Sequence, residues 1–185
     1  MNSRKYLSES EIERILFKTK DGRYPLRDYC IINTCFMHGL RVTELCNLQL
    51  SDIDIDAGEM HIRRLKNGFS TTHPVYENEA CNLELWIKER KRWLNSEGKP
   101  WLFLSQKGSQ LSRQHIYTLL KNYASMANIG VSAHPHMLRH ACGYALANQG
   151  TDTRLIQDYL GHRNIHHTVI YTASNSMRFQ RLWRK

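Results

Sequence analysis

Apolar residues recur along this chain mainly at helical intervals, which predicts a mostly helical fold with one short region of β-structure near its middle. Ile12, Ile15 and Leu16 show this spacing, and we expect a first helix over residues 9–19. Ser8 and Glu11 have the separation of a capping box at the start of that helix. Similar patterns predict helices at about 26–38, from 42 over a short stretch, and at 79–94, 112–127, 135–149, 152–160, 164–173 and 175–184.

Between residues 52 and 77 the pattern changes from helical spacing to alternation. The stretch DIDIDAGEMHIRRL alternates around a turn at Ala57-Gly58, which predicts a hairpin. Asn67-Gly68 marks a second tight turn before the strand in STTHPVYE, so Lys66 is expected at the tip of that hairpin. Pro74 predicts an edge strand, because proline donates no ladder hydrogen bond. The fold class is therefore mainly α with a small three-stranded antiparallel β-sheet, and PWLFL adds a short strand or an extended buried segment.

Length and charge narrow the class of protein. The 185 residues fit one domain over 1–185, large enough to bury a core without disulfide bonds. The 26 basic residues exceed the 17 acidic residues, which gives a net charge of +9 and a pI near 9.5. Such a positive field attracts polyanions, so nucleic acid is the leading class of partner. Charge alone leaves open a basic protein with no nucleic-acid role.

The cysteines and the start of the chain indicate a compartment. The five cysteines are odd in number and form no C-x-x-C pair, so we expect free and mostly buried thiols in a reducing cytosol. The first residues, MNSRKYLSESEIERI, are polar, and no apolar run approaches membrane-spanning length. We therefore expect a cytoplasmic protein without a membrane partner, associated with the nucleoid if it is bacterial.

Six residues in separate segments carry side chains suited to attack on a phosphodiester. They are Arg41 in HGLRVTEL, Lys66 after HIRRL, His136 and Arg139 in HPHMLRHA, His162 in LGHRN, and Tyr171 in VIYT. A tyrosine hydroxyl can form a covalent intermediate once a base removes its proton. Guanidinium groups match the non-bridging oxygens of a phosphate, and a lysine can protonate the departing oxygen. This division of roles indicates cutting and rejoining of DNA strands through a phosphotyrosine.

Each of these residues also has a structural interpretation. Arg41 precedes Glu44 by three residues, so the two can form a local ion pair. The structural alternatives for the others are a solvated surface lysine for Lys66, a pair one helical turn apart for His136 and Arg139, a helix N-terminal residue for His162 and a core aromatic for Tyr171. The combination favours a functional site, because a core has no need to collect this many hydrogen-bond donors.

A zinc site is a further alternative, since six histidines and Cys142 lie between residues 134 and 167. His136 and His140 are four residues apart, but the chain has neither an H-E-x-x-H pattern nor a C-x-x-C pair. We therefore expect no metal ligand set. His166 and His167 are expected on the solvated or DNA-facing side of their helix.

The motifs resemble those of the tyrosine recombinase (phage integrase) family, and the similarity covers nearly the whole chain as that family's catalytic domain. The matching elements are GLRVTEL with Arg41 and Glu44, the hairpin Lys66, HMLRH with His136 and Arg139, LGH with His162, and YT with Tyr171. The stretch RLIQDYLGHRNIHHTVIYTAS looks most like the fimbrial phase-variation recombinases, which invert a promoter-bearing DNA segment. The resemblance implies the fold of a DNA breaking-rejoining enzyme.

The resemblance also implies a role for each matching residue, without cofactor or metal. Tyr171 would attack the scissile phosphate and leave a 3′-phosphotyrosine and a free 5′-hydroxyl. Arg41 and Arg139 would clamp the non-bridging oxygens, with Glu44 orienting Arg41. The remaining roles are general acid for the 5′ leaving oxygen (Lys66), proton transfer with the nucleophile (His136) and donation to the phosphate (His162).

Partners and assembly follow from the same resemblance. LSRQHIY is similar to the family helix that begins near the major groove, so Arg113 and Gln114 are candidates for base or phosphate contacts, with an exposed helix cap as the alternative. Family members usually carry a separate N-terminal core-binding domain, which we do not expect here, and accessory DNA-bending proteins would compensate. We expect double-stranded DNA with short inverted repeats as substrate, and a homo-tetramer formed on DNA, with the terminal SMRFQRLWRK segment packing on a neighbouring protomer.

Two other functions are compatible with the same residues. A type IB topoisomerase uses similar chemistry to relax supercoils, and a DNA-binding regulator could keep the fold without the chemistry. The short chain and the phase-switch-like motifs favour recombination over relaxation. The intact set of six residues argues against a regulator, which has no use for Tyr171 beside two arginines.

Overall fold

The computed structural model describes residues 4–64, 69–93 and 95–173 and has the predicted class, helices around one three-stranded antiparallel sheet. The helices are α1 (Glu9–Lys18), α2 (Pro25–Met37), α3 (Val42–Asn47), α4 (Glu77–Arg90), α5 (Arg113–Met126), α6 (Pro135–Asn148), α7 (Thr153–Leu160) and α8 (His166–Thr172). The strands are β1 (Ile53–Asp54), β2 (Glu59–Ile62) and β3 (Thr71–Pro74). The helix predicted at 175–184 lies outside the described residues.

Local capping interactions set the helix ends close to where the sequence predicts them. At α1, the Ser8 hydroxyl accepts a hydrogen bond from the Glu11 backbone N–H at 3.3 Å, and the Glu11 carboxylate accepts one from the Ser8 N–H at 2.8 Å. Pro25 and Pro135 stand in the first turn of α2 and α6, where a missing N–H costs nothing. Helix α7 ends at Gly161, which adopts a left-handed conformation with φ +64°.

Helix α4 differs from its prediction, since it begins at Glu77 and ends at Arg90 rather than covering 79–94. The buried Arg90 guanidinium donates to the carbonyl of Trp101 at 2.8 Å, which ties the last turn of α4 to the PWLFL stretch. Trp93 packs inward as its apolar character predicts, and its ring lies 5.2 Å from that of Trp86. It lies after the end of α4, however, and not within the helix. Leu94 lies outside the described residues.

The sheet has the order β1-β2-β3, so β3 is an edge strand within the described residues, as Pro74 predicts. Gly58, with φ +65°, occupies the predicted first turn, and Met60 pairs with Ile53 on one side and His73 on the other. The predicted second turn at 67–68 lies outside the described residues. The PWLFL stretch is largely buried and forms isolated bridges at residues 101 and 104, with a bend between them.

The interior consists of two apolar clusters. The larger one contains Trp86, whose indole N–H donates to the Leu102 carbonyl at 3.1 Å. The smaller one lies among α6, α7 and α8 and includes Ile156, Leu160 and Tyr171. The nucleophile candidate is therefore seated by core packing, and only 2% of its surface is exposed.

All five cysteines are free thiols. Four are buried and Cys81 is exposed, so the expectation of mostly buried thiols is confirmed. None of the helices in residues 4–64, 69–93 and 95–173 has the length and apolar content needed to cross a membrane.

A polar network is buried where β3 meets α2, α4 and α7. The His38 ring lies 3.2 Å from His73 Nδ1 and 3.2 Å from the Glu79 carboxylate, and the His73 ring stacks on Tyr159 at 3.9 Å. Burial first, and then the charges of His38 and Arg64, lower the pKa of His73 from 6.5 to about 3. His73 is therefore neutral in the folded protein at neutral pH.

This neutral histidine makes folding stability depend on pH. Below pH 6.5 the unfolded chain protonates His73 and the folded chain does not, so stability present at pH 7 is lost as the pH falls. We expect this group to lower the free energy of unfolding by about 2 kcal/mol between pH 7 and pH 5. Urea unfolding followed by circular dichroism at both pH values measures the difference.

His73→Phe keeps an aromatic ring on Tyr159 and should reduce the pH dependence by that amount. His61→Gln, on the exposed face of β2, is the matched control and should keep the wild-type dependence. Equal pH dependence in His73→Phe and wild type would contradict the assignment.

Candidate active site

Glu44 on α3 is the centre of a buried group of charges. Its carboxylate accepts hydrogen bonds from the Arg41 backbone N–H at 2.9 Å, the Arg41 guanidinium at 2.7 Å and the Arg64 guanidinium at 2.9 Å. Burial alone would raise the pKa of Glu44, but the charge of Arg64 and the bonds from Arg41 bring it below its ordinary value. The local ion pair between Arg41 and Glu44 therefore exists, and it orients a guanidinium group that stays one-third exposed.

Arg64 completes this group, and none of the sequence motifs predicts it as a site residue. Its side chain is buried, and it also donates to the Tyr159 carbonyl at the end of α7. A Cβ on Gly161 would lie 2.9 Å from Arg64 Nε, so a glycine is needed where the chain passes over this arginine. The signal was present in the sequence, because the alternation that buries Met60 and Ile62 also points residue 64 inward.

Helix α6 presents several functional side chains on one face. Arg139 and His140 lie three and four residues after His136, and Gly143 lies four and three residues after Arg139 and His140. Arg139 is 1% exposed and donates to the carbonyls of Gly39 and Leu160. Burial, followed by the charges of Arg41 and Arg64, lowers the pKa of Arg139 to about 10, so it remains a cation at neutral pH.

Tyr171 on α8 lies against this face of α6. Its hydroxyl is 2.9 Å from His140 Nδ1, and its ring covers Gly143, where a Cβ would lie 2.6 Å from the ring. Burial raises the pKa of Tyr171 to about 12, against the opposing charge of Arg139. Burial and the charges of His136 and Arg139 lower the pKa of His140 to about 4. In this state the phenol therefore keeps its proton and the imidazole stays neutral at neutral pH.

His162 follows Gly161 in the loop between α7 and α8. Its Nδ1 atom is 2.9 Å from the buried hydroxyl of Thr168. Burial and the charges of Arg139 and Arg41 lower the pKa of His162 to about 3, so the ring is neutral. When Thr168 donates to Nδ1, Nε2 carries the ring proton, which is the form that can donate to a phosphate oxygen.

The structure brings five of the six candidates together. The charges of Arg139 and Arg41 act on His162 and on His136, and that of Arg139 acts on Tyr171. His136 is exposed and its ring lies 4.5 Å from that of His140, which in turn contacts the tyrosine hydroxyl. The sixth candidate, Lys66, lies outside the described residues.

The charges around Glu44 do not balance. Within the described part of the chain, the Glu44 carboxylate pairs with two guanidinium groups, those of Arg41 and Arg64, and both of these also act electrostatically on a third, that of Arg139. A buried cation is costly without a counter-charge, so the cleft is suited to an anion such as a phosphodiester. Across residues 4–64, 69–93 and 95–173, no three His, Cys, Asp or Glu side chains are grouped as a metal ligand set.

Arg113 and Gln114 begin α5 on the surface next to this cleft. The Ser112 hydroxyl caps the helix by accepting the His115 N–H at 3.1 Å, as the sequence predicts. Burial raises the pKa of the Cys46 thiol to about 11 and the charge of Arg113 opposes this shift, which places Arg113 near α3. Gln114 lines a groove of about 640 Å³ together with His134, the cap of α6. Both side chains are exposed, so each is accessible to DNA.

Comparisons with known proteins agree with this geometry. The chain matches the phage integrase family over residues 5–178. It is 51% identical over 180 residues to the type 1 fimbriae regulatory protein FimB of Escherichia coli (strain K12), covering 97% of this chain and 90% of that protein. It is 48% identical over 185 residues to FimE of the same strain, covering 100% of this chain and 93% of that protein.

A solved structure confirms the expected fold. The crystal structure of XerA recombinase superposes with a TM-score of 0.85 at 28% identity, covering 97% of this chain and 66% of that chain. The chain belongs to the phage integrase family, whose members are tyrosine recombinases. The expected family and fold are both confirmed, whereas the roles of individual residues stay predictions.

The two neighbouring arginines of the hairpin offer a test of the charge group. Arg64→Ala removes a buried partner of Glu44 and should lower the free energy of unfolding by about 3–5 kcal/mol. Arg63→Ala removes an ion pair from a side chain that is 56% exposed and should cost about 1 kcal/mol or less. Urea unfolding of both variants measures the contrast, and similar losses would show that Arg64 is not the stabilising partner.

Proposed function

We propose that this chain is a site-specific DNA recombinase that cleaves and rejoins DNA through a 3′-phosphotyrosine at Tyr171. One observation carries the proposal: a protonated tyrosine is buried beside a cleft in which guanidinium groups outnumber carboxylates. A phosphodiester in the cleft would balance that charge and bring the phosphorus atom to the nucleophile.

The clamp on the phosphate comes from α3 and α6. Arg41 and Arg139 bind the two non-bridging oxygens, and Glu44 orients Arg41 through the 2.7 Å ion pair. His162 donates to the phosphate through the ring nitrogen opposite Thr168. Because these donors are oriented before DNA arrives, they stabilise the charge that develops in the transition state.

Two proton transfers accompany the exchange of phosphorus–oxygen bonds. Tyr171 loses its proton and forms the bond to phosphorus, with His136 assisting that transfer, while the bond from phosphorus to the 5′ oxygen breaks. Lys66 gives a proton to the departing 5′ oxygen. The phosphotyrosine keeps the energy of the broken linkage, so a second 5′-hydroxyl can reverse the reaction without a nucleotide triphosphate. Neither a cofactor nor a metal enters this scheme.

The similarity to FimB and FimE supports a particular substrate and setting. We propose that the enzyme inverts a DNA segment between short inverted repeats and thereby controls fimbrial phase variation. The described elements act as one catalytic domain in a homo-tetramer on DNA, with accessory DNA-bending proteins, in the bacterial cytoplasm at the nucleoid. Arg113 and Gln114 contact bases or backbone from the exposed start of α5.

Covalent trapping tests the nucleophile. The probe is a nicked duplex that carries the sequence recovered from protein–DNA adducts in cells. The nick lies close to the cleavage site, so the short fragment with the free 5′-hydroxyl diffuses away and cannot reverse the reaction. Wild-type protein should become covalently attached, and Tyr171→Phe should form no adduct, a loss of at least about 10³-fold, because the attacking oxygen is missing. Denaturing gel electrophoresis measures the adduct.

Tyr144→Phe is the matched control, because its ring contacts that of Tyr171 at 5.1 Å and the substitution removes only its own hydroxyl. It should retain the adduct. DNA binding without adducts in the wild type would identify a regulator, and adducts on any sequence together with plasmid relaxation would identify a topoisomerase.

A sulfur-containing substrate tests Lys66 as the general acid. Lys66→Ala should slow cleavage of the ordinary nicked duplex by about 10²-fold while DNA binding changes little, because an acid acts only as the leaving oxygen gains charge. With sulfur in place of the bridging 5′ oxygen, the leaving group needs no proton and the variant should approach the wild-type rate. Lys88→Ala, an exposed lysine on α4, should match wild type on both substrates. Equal slowing on both substrates would make Lys66 a phosphate contact.

A further inference from the structure

We propose that His140 is a positioning residue for Tyr171, whose phenolic oxygen it fixes in the cleft of the same protomer before DNA binds. The inference rests on the proposed function, since it takes Tyr171 as the nucleophile. The family resemblance assigned a proton-transfer role to His136 and none to His140. In the structure, the exposed His136 ring lies 4.5 Å from that of His140, and His140 Nδ1 lies 2.9 Å from the tyrosine oxygen.

Three neighbours along α6 determine where the phenol lies. His140 bonds the oxygen, Gly143 leaves room for the ring, and Tyr144 meets the ring edge-on at 5.1 Å and 79°. Any side chain at position 143 would place its Cβ 2.6 Å from a ring atom of Tyr171. The ring can therefore lie close to α6 only because residue 143 is glycine, and the hydrogen bond to His140 then fixes its rotation.

Protonation states set the direction of this hydrogen bond. Burial raises the pKa of Tyr171 to about 12, so the phenol keeps its proton at neutral pH. Burial and the charges of His136 and Arg139 lower the pKa of His140 to about 4, so the imidazole is neutral and has one acceptor nitrogen. Because Nδ1 is the nitrogen that faces the protonated phenol, we assign the phenol as the donor to Nδ1 and place the ring proton on Nε2.

The position of this contact gives it a catalytic consequence. Arg139 precedes His140 on α6, so the phosphate clamp and the support of the nucleophile are adjacent residues on one rigid helix. The distance from the reacting oxygen to a bound phosphate is then set within one protomer. A misplacement of about 1 Å at a reacting centre can cost about 10²-fold in rate.

The kinetic test compares variants that lose or keep the acceptor. His140→Ala should slow adduct formation on the nicked duplex defined above by about 10²-fold, with the dissociation constant for DNA changed less than about threefold. His140→Asn offers an amide oxygen near the place of Nδ1 and should recover at least about tenfold of the lost rate. His61→Ala, an exposed histidine on β2, should match wild type.

A DNA-free measurement tests the contact itself. In protein labelled with 15N-histidine, nuclear magnetic resonance should show His140 protonated at Nε2, with an Nδ1 signal that shifts in Tyr171→Phe when the donor is removed. This comparison uses only wild type and Tyr171→Phe, so it holds even if His140→Ala proves unstable.

The outcomes separate the two proposals. Wild-type cleavage by His140→Ala, or a His140 Nδ1 signal that does not respond to Tyr171→Phe, would overturn the positioning role while leaving the recombinase function intact. Slow cleavage by His140→Asn to the same degree as His140→Ala would also overturn it, because an acceptor would then not be what matters. A wild-type protein that binds the duplex and never forms an adduct would overturn the proposed function instead.

Discussion

The ion pairs of Glu44 with Arg41 and Arg64 are the interaction on which the rest of this site depends. They join α3 to the hairpin strand β2 and, through the Tyr159 carbonyl, to the end of α7. One carboxylate can orient these guanidinium groups without neutralising the whole cleft. Burying such a group is unfavourable unless a counter-charge is near, and in the proposed function a DNA phosphate supplies the charge that the protein lacks. The excess of positive charge is therefore unfavourable in the free protein and, in the proposed function, favours the binding of DNA.

Close packing then allows helices from distant parts of the chain to reach this centre. Gly39, Gly143 and Gly161 each lie where a Cβ would meet a neighbouring side chain at under 3.0 Å. Arg139 contacts the backbone at two of these glycines, because it donates to the Gly39 carbonyl and to the Leu160 carbonyl, which precedes Gly161. Interiors are packed so densely that even one added carbon at such positions must displace a functional group. The glycines therefore set the dimensions of the cleft.

In the proposed function, the nucleophile is held in an unreactive form before DNA binds. Tyr171 is buried, protonated and bonded to a neutral histidine, and its pKa of about 12 disfavours the phenolate in the absence of DNA. When a DNA phosphate binds beside Tyr171, the electrostatic environment of the phenol must change. The cations that lower the pKa values of His140 and His162 will then face the negative charge of the phosphate. A tyrosine in this state is protected from reacting before a phosphate occupies the clamp.

Periodicity and motif spacing in the sequence were enough to predict the described helices to within a few residues, the edge strand at Pro74 and five of the residues that meet at the cleft. These features are local, because a helix face or a cap depends on residues within one or two turns. Arg64 and His140 were not identified as site residues, although strand alternation points residue 64 inward and His140 lies one helical turn from His136. Their partners, Glu44 and Tyr171, are 20 and 31 residues away. Only tertiary packing decides which distant polar groups meet, since a contact across helices depends on how their faces are oriented in three dimensions rather than on spacing along the chain.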